Sequence, residues 1–185
     1  QTNQWAVNRL TLSNTWFRFA VDGMQIMVTN DVLITGSSGR LEVGGGNFLT
    51  NKYFKDNSYR RFLFSQAQPS FKCGGSLILT NGALLYLFSG PTNQTTENFG
   101  GSVEVADDIM VTSTCWIYPV SHPTNGGCVF FRAGNVIVST NAGFNADAGG
   151  YAGMSGLGAS GFGPGSGGSR GGGGYGGTGG YQFVG

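Results

Sequence analysis

Glycine is concentrated at the end of this sequence: residues 143–185 hold 20 of the chain's 35 glycines. Glycine loses more backbone freedom on folding than any other residue and has no side chain to bury in return. A run such as residues 165–180 would by itself behave as a flexible linker. We expect it nonetheless to be ordered, held by the body of its own domain or by neighbouring copies of the chain. This pattern indicates a structural or assembly role.

The composition supports a protein whose surface is largely covered. The 185 residues suffice for one domain with a core, but charged residues make up only 10% and the net charge is +1. Ordinary soluble domains have about 25% charged residues. Because so few charges give only weak repulsion between molecules, we expect the free monomer to be poorly soluble. The near-neutral balance also argues against a nucleic-acid partner, which usually selects a basic face.

The sequence contains no targeting or membrane segment that we recognise. No run of about 18 apolar residues is present, so we expect no transmembrane helix. The chain starts at Gln1 without a basic and apolar signal segment. We interpret Gln1 as a residue left after a signal was removed, which fits a secreted or cell-surface protein.

The first 142 residues predict an all-β body. Short runs rich in Val, Ile, Leu, Phe and Thr alternate with Gly, Asn, Asp or Pro, and no window has the apolar spacing of a helix. The predicted strands are 5–12, 16–19, 24–29, 32–35, 40–43, 61–64, 76–80, 83–88, 102–105, 109–112, 115–118, 128–132 and 136–140. We therefore divide the chain into a body, 1–142, and a glycine-rich segment, 143–185.

A weak repeat favours a solenoid over other all-β folds. An apolar run ends in Ser/Thr-Asn five times, and its asparagines are Asn14, Asn30, Asn51, Asn81 and Asn141. The intervals of 16, 21, 30 and 60 residues fit coils of roughly 20–30 residues. Asn suits a sharp corner because it tolerates the left-handed conformation, and stacked asparagines can bond along a ladder. The sequence favours a parallel β-helix; a β-sandwich or jelly roll is the alternative.

The glycine-rich segment carries isolated side chains that we expect to anchor it or to contact another subunit. It ends in an alternating strand, 181–184, which is our candidate for a strand donated to a neighbouring copy. The candidate assembly residues are Tyr151, Phe162, Arg170, Tyr175, Tyr181, Phe183 and Val184.

Two covalent modifications are candidates. Cys115 and Cys128 flank a loop that a disulfide would close, which leaves Cys73 unpaired; alternatively all three are small buried side chains. Asn93 begins the chain's N-glycosylation sequon, in a polar loop that we expect to be exposed.

No arrangement of residues predicts catalysis, a metal or a cofactor. His122, the single histidine, has the sequence context of a turn residue, and Asp107 and Asp108 that of a corner between strands. The segment around Asn145 and Asp147 lacks the recurring spacing of calcium repeats, and Arg170 alone does not make an RNA-binding arginine-glycine segment.

The aromatic residues leave two interpretations open. They either fill the core and an interface or form platforms that stack on glycans. These residues are Trp5, Trp16, Trp116, Phe62, Phe64, Phe130 and Phe131. Since Phe130 and Phe131 are adjacent on a strand, we expect one ring to lie outside the core.

Several segments together resemble large secreted glycine-rich repeat proteins of environmental bacteria of the planctomycete–verrucomicrobial kind, which are autotransporter-like parallel β-helix surface proteins. The resemblance lies in segments 116–127, 129–132, 137–138, 143–147, 150–153, 163–165 and 167–172. Segments 28–30, 39–42 and 73–77, together with Trp16, fit the same pattern. The resemblance implies an extracellular or cell-surface β-solenoid, and it carries over no catalytic residues.

We therefore predict a non-enzymatic structural protein whose partners are copies of itself. Its open end-strands would template another copy and build a filament or surface layer. The alternative is an adhesin or receptor-binding module that recognises cell-surface glycans.

Overall fold

The computed structural model describes residues 3–52, 59–92, 99–147 and 150–151, and within them the chain is all-β without helix. The strands are β1 (Gln4–Val7), β2 (Leu10–Ser13), β3 (Trp16–Phe19), β4 (Gln25–Val28), β5 (Val32–Thr35), β6 (Arg40–Val43), β7 (Asn47–Lys52), β8 (Tyr59–Phe64), β9 (Ser70–Cys73), β10 (Leu77–Thr80), β11 (Leu84–Phe88), β12 (Gly101–Val105), β13 (Asp108–Val111), β14 (Trp116–Val120), β15 (Val129–Arg132), β16 (Asn135–Val138) and β17 (Gly143–Phe144).

Fifteen of these strands form three parallel sheets of five strands each, which confirms the predicted parallel β-helix. Sheet A has the order β1-β4-β9-β12-β15, sheet B β16-β13-β10-β5-β2, and sheet C β17-β14-β11-β6-β3. Consecutive strands enter sheets A, B and C in turn, so each set of three strands is one coil. The described chain makes five such coils, here numbered coil 1 to coil 5.

The coils differ in length because long segments leave from one corner. In sheet B, Leu10 pairs with Val32, Val32 with Leu77, Leu77 with Ile109 and Ile109 with Val136, so successive coils take 22, 45, 32 and 27 residues. The predicted coil length of 20–30 residues therefore holds for the first and last of these four intervals. The extra residues lie at the corner between sheets C and A, which also holds the antiparallel hairpin β7–β8.

Strict alternation places one side chain in two inside the solenoid. Leu77 and Leu79 of β10 are fully buried, while Ile78 between them lies on the outer face. Ile26, Phe71 and Val103 stack in the same way on sheet A. Because each such buried side chain contributes about 1.5–3 kcal/mol, the stacked interior columns hold the coils together.

The five asparagines of the Ser/Thr-Asn repeat lie at three different places in the fold. Asn14, Asn81 and Asn141 lie at the corner between sheets B and C with φ of 48°, 57° and 57°, as expected for left-handed asparagine. Asn30 lies at the corner between sheets A and B instead, and Asn51 is in the hairpin. The markers therefore do not share one ladder. The stacked asparagine pair is Asn30 on Asn8, where the Asn30 amide donates to Asn8 Oδ1 at 2.7 Å.

The structure does not form the predicted disulfide. All three thiols are free; Cys115 is buried at the start of β14, whereas Cys128 is exposed just before β15. These two positions lie at different corners because β14 runs between them. The solenoid also extends past the predicted boundary at residue 142, since β17 pairs with β14 through Gly143 and Phe144.

Candidate functional site

The C-terminal end of the solenoid exposes side chains that belong to its interior. Val136 and Val138 are 53% and 45% exposed, although their register partners on coil 4, Ile109 and Val111, are at most 1% exposed. Phe144 is 38% exposed, whereas its partner Ile117 is fully buried. We call Phe131, Val136, Val138 and Phe144 the open end.

The N-terminal end is built differently. Trp5 packs on Phe19 with ring centroids 5.0 Å apart, and Phe17 meets Phe19 edge to face at 4.8 Å. These large rings fill the first coil, so Leu10 and Leu12 beneath them are buried. Phe17 itself is 40% exposed and presents an apolar face outward along the solenoid axis. We call Trp5, Phe17 and Phe19 the aromatic end.

Both ends also present strand edges. In the described residues β15, β16 and β17 are the last strands of their sheets, and β1, β2 and β3 are the first. An edge strand has backbone N–H and C=O groups that point away from its only neighbour. Because the fifteen strands of sheets A, B and C are parallel, the edge at one end matches the edge at the other in direction.

A third feature is a stack of aromatic and cationic side chains on the outer face of sheet C. The Arg40 guanidinium lies 4.1 Å from the Tyr86 ring centroid and 5.3 Å from that of Trp16. Tyr86 stacks in turn on Tyr118, with centroids 4.3 Å apart and ring planes 5° apart. Burial raises the pKa of the Tyr86 phenol, an effect that the charge of Arg40 partly offsets.

Glu42 supplies the counter-charge within this stack. It is buried on the outer face of β6, where Arg40 Nε donates to its Oε1 at 2.6 Å and Arg18 Nε lies 3.4 Å from its Oε2. Arg18 also donates to the carbonyl of Gly45. A buried carboxylate needs such partners because an unpaired buried charge is strongly destabilising.

Tyr86 and Tyr118 do not offer free ring faces to a glycan. They are register partners on adjacent coils and their stacked faces cover each other. The stack therefore stabilises the succession of coils. Trp16, a predicted platform residue on the same sheet, is 65% exposed.

The paired phenylalanines follow the expected arrangement. Phe131 packs against the core and meets Phe144 edge to face at 5.1 Å, whereas Phe130 lies outside and stacks on Phe99 at 5.1 Å. Trp5, another predicted platform residue, packs in the aromatic end.

Most of the predicted assembly residues lie outside the described residues: Phe162, Arg170, Tyr175, Tyr181, Phe183 and Val184, together with the glycosylation candidate Asn93. Tyr151 is described. Its hydroxyl donates to the carbonyl of Asn125 at 3.2 Å and lies against Gly126, so it anchors the chain beyond β17 to the loop of residues 121–128.

The residues that were considered as catalytic or metal-binding candidates have local structural contacts. His122 is buried in that same loop; its Nδ1 accepts the backbone N–H of Asn125 at 3.1 Å, its ring meets Phe64, and burial lowers its pKa. Asp107 lies at a corner, as predicted, whereas Asp108 is the first residue of β13 and not part of the corner. Among the described residues no group of three or more His, Cys, Asp or Glu side chains converges on a metal position.

Sequence reasoning missed the open end. Val136 and Val138 have the same alternation as the buried residues of coil 4, so the pattern alone does not mark them as exposed. The one signal in the sequence is the position of these two valines, because they belong to the last apolar run before the glycine-rich segment.

No protein-family model, no curated protein and no solved structure matches the chain. The resemblance to glycine-rich β-helix surface proteins therefore stays a prediction. Within the described ranges no helix is long and apolar enough to cross a membrane.

Proposed function

We propose that this protein is a non-enzymatic structural subunit that assembles end to end, with the open end of one copy stacked on the aromatic end of the next. The observation that carries the proposal is the exposure of Val136 and Val138, whose counterparts on the preceding coil are buried. The assembly takes the form of a filament or surface layer, and the sequence resemblance implies an extracellular or cell-surface setting for it.

The apolar contact alone is too small for stable association. Val136, Val138, Phe144 and Phe17 are each about half exposed, so covering them contributes about 1 kcal/mol apiece, or about 4 kcal/mol together. A micromolar contact requires about 8 kcal/mol beyond the entropy lost on association. Pairing of the terminal strand edges therefore has to supply the rest, at about 0.5–1.5 kcal/mol for each backbone hydrogen bond.

The two ends differ, so the contact is heterologous. A head-to-tail contact that does not close on itself produces a filament. Charge does not oppose the contact, because the interior side chains at both ends are apolar. Continuation of the parallel register across the junction would make each subunit add five coils to one longer solenoid.

The test uses Val138→Lys, with Ile137→Lys as the matched control. Ile137 is the neighbouring residue on β16 and is 47% exposed, nearly the same as Val138, but its register partner Met110 lies on the outer face. A lysine at 138 would be buried unpaired in the junction, at a cost of several kcal/mol that exceeds the apolar gain. We expect sedimentation velocity to show concentration-dependent polymers for wild type and Ile137→Lys, and monomers for Val138→Lys.

A complementation experiment tests the head-to-tail arrangement. Phe17→Lys damages the aromatic end and leaves the open end intact, whereas Val138→Lys does the reverse. Each variant alone should be monomeric, and an equimolar mixture should stop at heterodimers. Far-UV circular dichroism of each variant checks that the fold is retained. A wild type that stays monomeric at all concentrations, or polymers that are insensitive to Val138→Lys, would refute the proposal.

A further inference from the structure

Trp16 is the most exposed large apolar side chain in the described part of the chain. It is 65% exposed on the outer face of β3, where the Arg40 guanidinium of coil 2 lies over its ring. Because β3 is the first strand of sheet C among the described residues, no further coil covers Trp16 from the other side. Its neighbour Phe17 belongs to the aromatic end. Apolar surface therefore extends from the interior to the outer face at this end of the solenoid.

The same outer column of sheet C ends differently at the other end of the solenoid. In register it reads Trp16, Arg40, Leu84, Trp116 and Gly143. The last position therefore has no side chain, whereas each of the four positions before it has a large one.

The missing side chain lets the indole of coil 4 reach over coil 5. A Cβ placed on Gly143 would lie 3.5 Å from Cζ3 and 4.0 Å from Cε3 of Trp116. Gly143 is buried although it lies on the last strand of its sheet, whereas the next residue, Phe144, is 38% exposed. Trp116 itself is only partly buried, so part of its ring is accessible at the rim of the open end. We call Gly143 and the Trp116 ring the glycine notch.

Continuation of sheet C across the junction would bring Trp16 and the glycine notch together. The strand that follows β17 would be β3 of the next copy, and Gly143 would then face Trp16 of that copy. Because neighbouring strands are about 4.8 Å apart, the Cα atoms of Trp116 and of the incoming Trp16 would be about 10 Å apart. Two indoles at that separation can meet over the glycine at the centroid distance of about 4.5–7 Å that is usual for aromatic pairs.

The notch also distinguishes the correct register from a shifted one. A slip of one residue turns every outward side chain of the incoming strand inward. A slip of two residues places Asn14 or Arg18 opposite Gly143 instead of Trp16. Only the in-register junction therefore brings an aromatic ring to the notch.

We propose that Trp16 of one copy packs on the glycine notch of the copy before it, and that this contact fixes the register of the junction. The inference rests on the proposed end-to-end assembly. It extends the interface from the interior residues to the outer face of sheet C, and it gives the exposed indole a second copy of the chain as its partner. Trp16 then lies between Trp116 of the preceding copy and Arg40 of its own.

Fluorine NMR of the heterodimer tests the contact. The heterodimer is made from Val138→Lys protein, which keeps its aromatic end, and Phe17→Lys protein, which keeps its open end. Only the Val138→Lys copy is labelled with 5-fluorotryptophan, so its Trp16 lies at the junction and its Trp116 at the end that the substitution blocks. We expect the Trp16 resonance, assigned by its loss in Trp16→Phe, to shift when the heterodimer forms, and the Trp116 resonance to stay in place.

Trp5 of the labelled copy is an internal control. It belongs to the aromatic end but lies on β1 of sheet A, so its resonance should respond to the junction without touching the notch. Trp116→Leu in the unlabelled copy should therefore remove most of the Trp16 shift and leave that of Trp5.

A double-mutant cycle on the dissociation constant of the heterodimer measures the strength of the contact. Trp16→Leu is placed in the Val138→Lys copy and Trp116→Leu in the Phe17→Lys copy. Together they should weaken binding about two- to tenfold less than the product of their separate effects. Met27→Ala in the Phe17→Lys copy is the matched control, because Met27 is 44% exposed on sheet A near the end that takes no part in this junction. Its effect should simply add to that of Trp16→Leu.

The outcomes separate this contact from the assembly on which it rests. A shifted Trp16 resonance and coupled substitutions, in variants whose far-UV circular dichroism is unchanged, support the contact. A heterodimer whose Trp16 resonance does not move, or whose two substitutions are additive, overturns the contact and leaves the assembly standing. A Trp16 resonance that moves only when cellotetraose is added also overturns it and assigns the ring to a glycan. If no heterodimer forms, the end-to-end assembly fails and this contact fails with it.

Discussion

A corner glycine offers the sharpest test of how the coils are held in register. Gly36 and Gly82 lie at the corner between sheets B and C in neighbouring coils, with φ of +92° and +82°. An alanine at either position is strained by about 1–2 kcal/mol because its Cβ disfavours positive φ. The two sites differ in the space that they leave for that Cβ.

At Gly36 the space is occupied by the coil below. A Cβ there would overlap Oδ1 and Cγ of Asn14 and lie 3.0 Å from its Nδ2, whereas at Gly82 the nearest atom is Ser37 Cα at 3.5 Å. Asn14 is exposed and can turn away, at a cost of about 0.5–1.5 kcal/mol for the displaced rotamer. We therefore expect Gly36→Ala to lower the free energy of unfolding by about 2–3 kcal/mol and Gly82→Ala by about 1–2 kcal/mol.

Urea denaturation followed by far-UV circular dichroism measures both effects. The double variant Asn14→Gly/Gly36→Ala removes the obstructing side chain and keeps a residue that tolerates the φ of 48° at position 14. Relative to Asn14→Gly alone, the cost of Gly36→Ala should then fall to that of Gly82→Ala. Equal costs for Gly36→Ala and Gly82→Ala, or no rescue in the double variant, would refute the steric argument.

Two further predictions concern the core and the buried histidine. Val111→Ala should lower the free energy of unfolding by about 2 kcal/mol, and Val138→Ala on the next coil by less than about 1 kcal/mol, because the first is fully buried and the second half exposed; equal losses in urea denaturation of the dissociated subunit would contradict the open end. Burial lowers the pKa of His122 below its ordinary 6.5, so the unfolded chain binds the proton more readily and the stability present above about pH 6.5 is lost as the pH falls. His122→Asn, whose amide oxygen can still accept the loop N–H, should show a smaller drop in Tm between about pH 7.5 and about pH 5 than wild type; identical drops would exclude His122 as the cause.

The sequence predicts most strands of this fold but not how they stack. β5 and β6 lie where the pattern places them, because strict alternation and flanking turn residues mark both ends. β7, β9 and β17 are absent from the predicted strands: Ser70–Cys73 is short and half polar, and Gly143–Phe144 is a strand only through its pairing with β14. The predicted strand 5–12 is divided by a corner into β1 and β2. Asn14 and Asn30 carry the same marker at different corners, so marker spacing does not equal coil length.

The candidate site is harder to predict for a related reason. Burial of an interior residue depends on whether another coil covers it, and that depends on position in the stack. Ile109 and Val136 are equivalent in pattern, yet one is fully buried and the other is more than half exposed. The outer column of Gln25, Ser70 and Ser102 on sheet A likewise joins residues that are 32 or more positions apart in the sequence.

The corner between sheets C and A accommodates all the long segments, including the hairpin β7–β8, while the other two corners remain short. Length changes there leave the strand register of neighbouring coils intact, because the chain re-enters sheet A at the same place. Asp22 illustrates this: its carboxylate accepts hydrogen bonds from the Asn47 side chain and the Gln66 backbone N–H, and so clamps the base of the hairpin irrespective of its outer part. In evolution or in engineering, this corner can therefore gain or lose whole peptide segments while the cross-section of the solenoid stays constant. Inserted peptides would be displayed along one side of the solenoid.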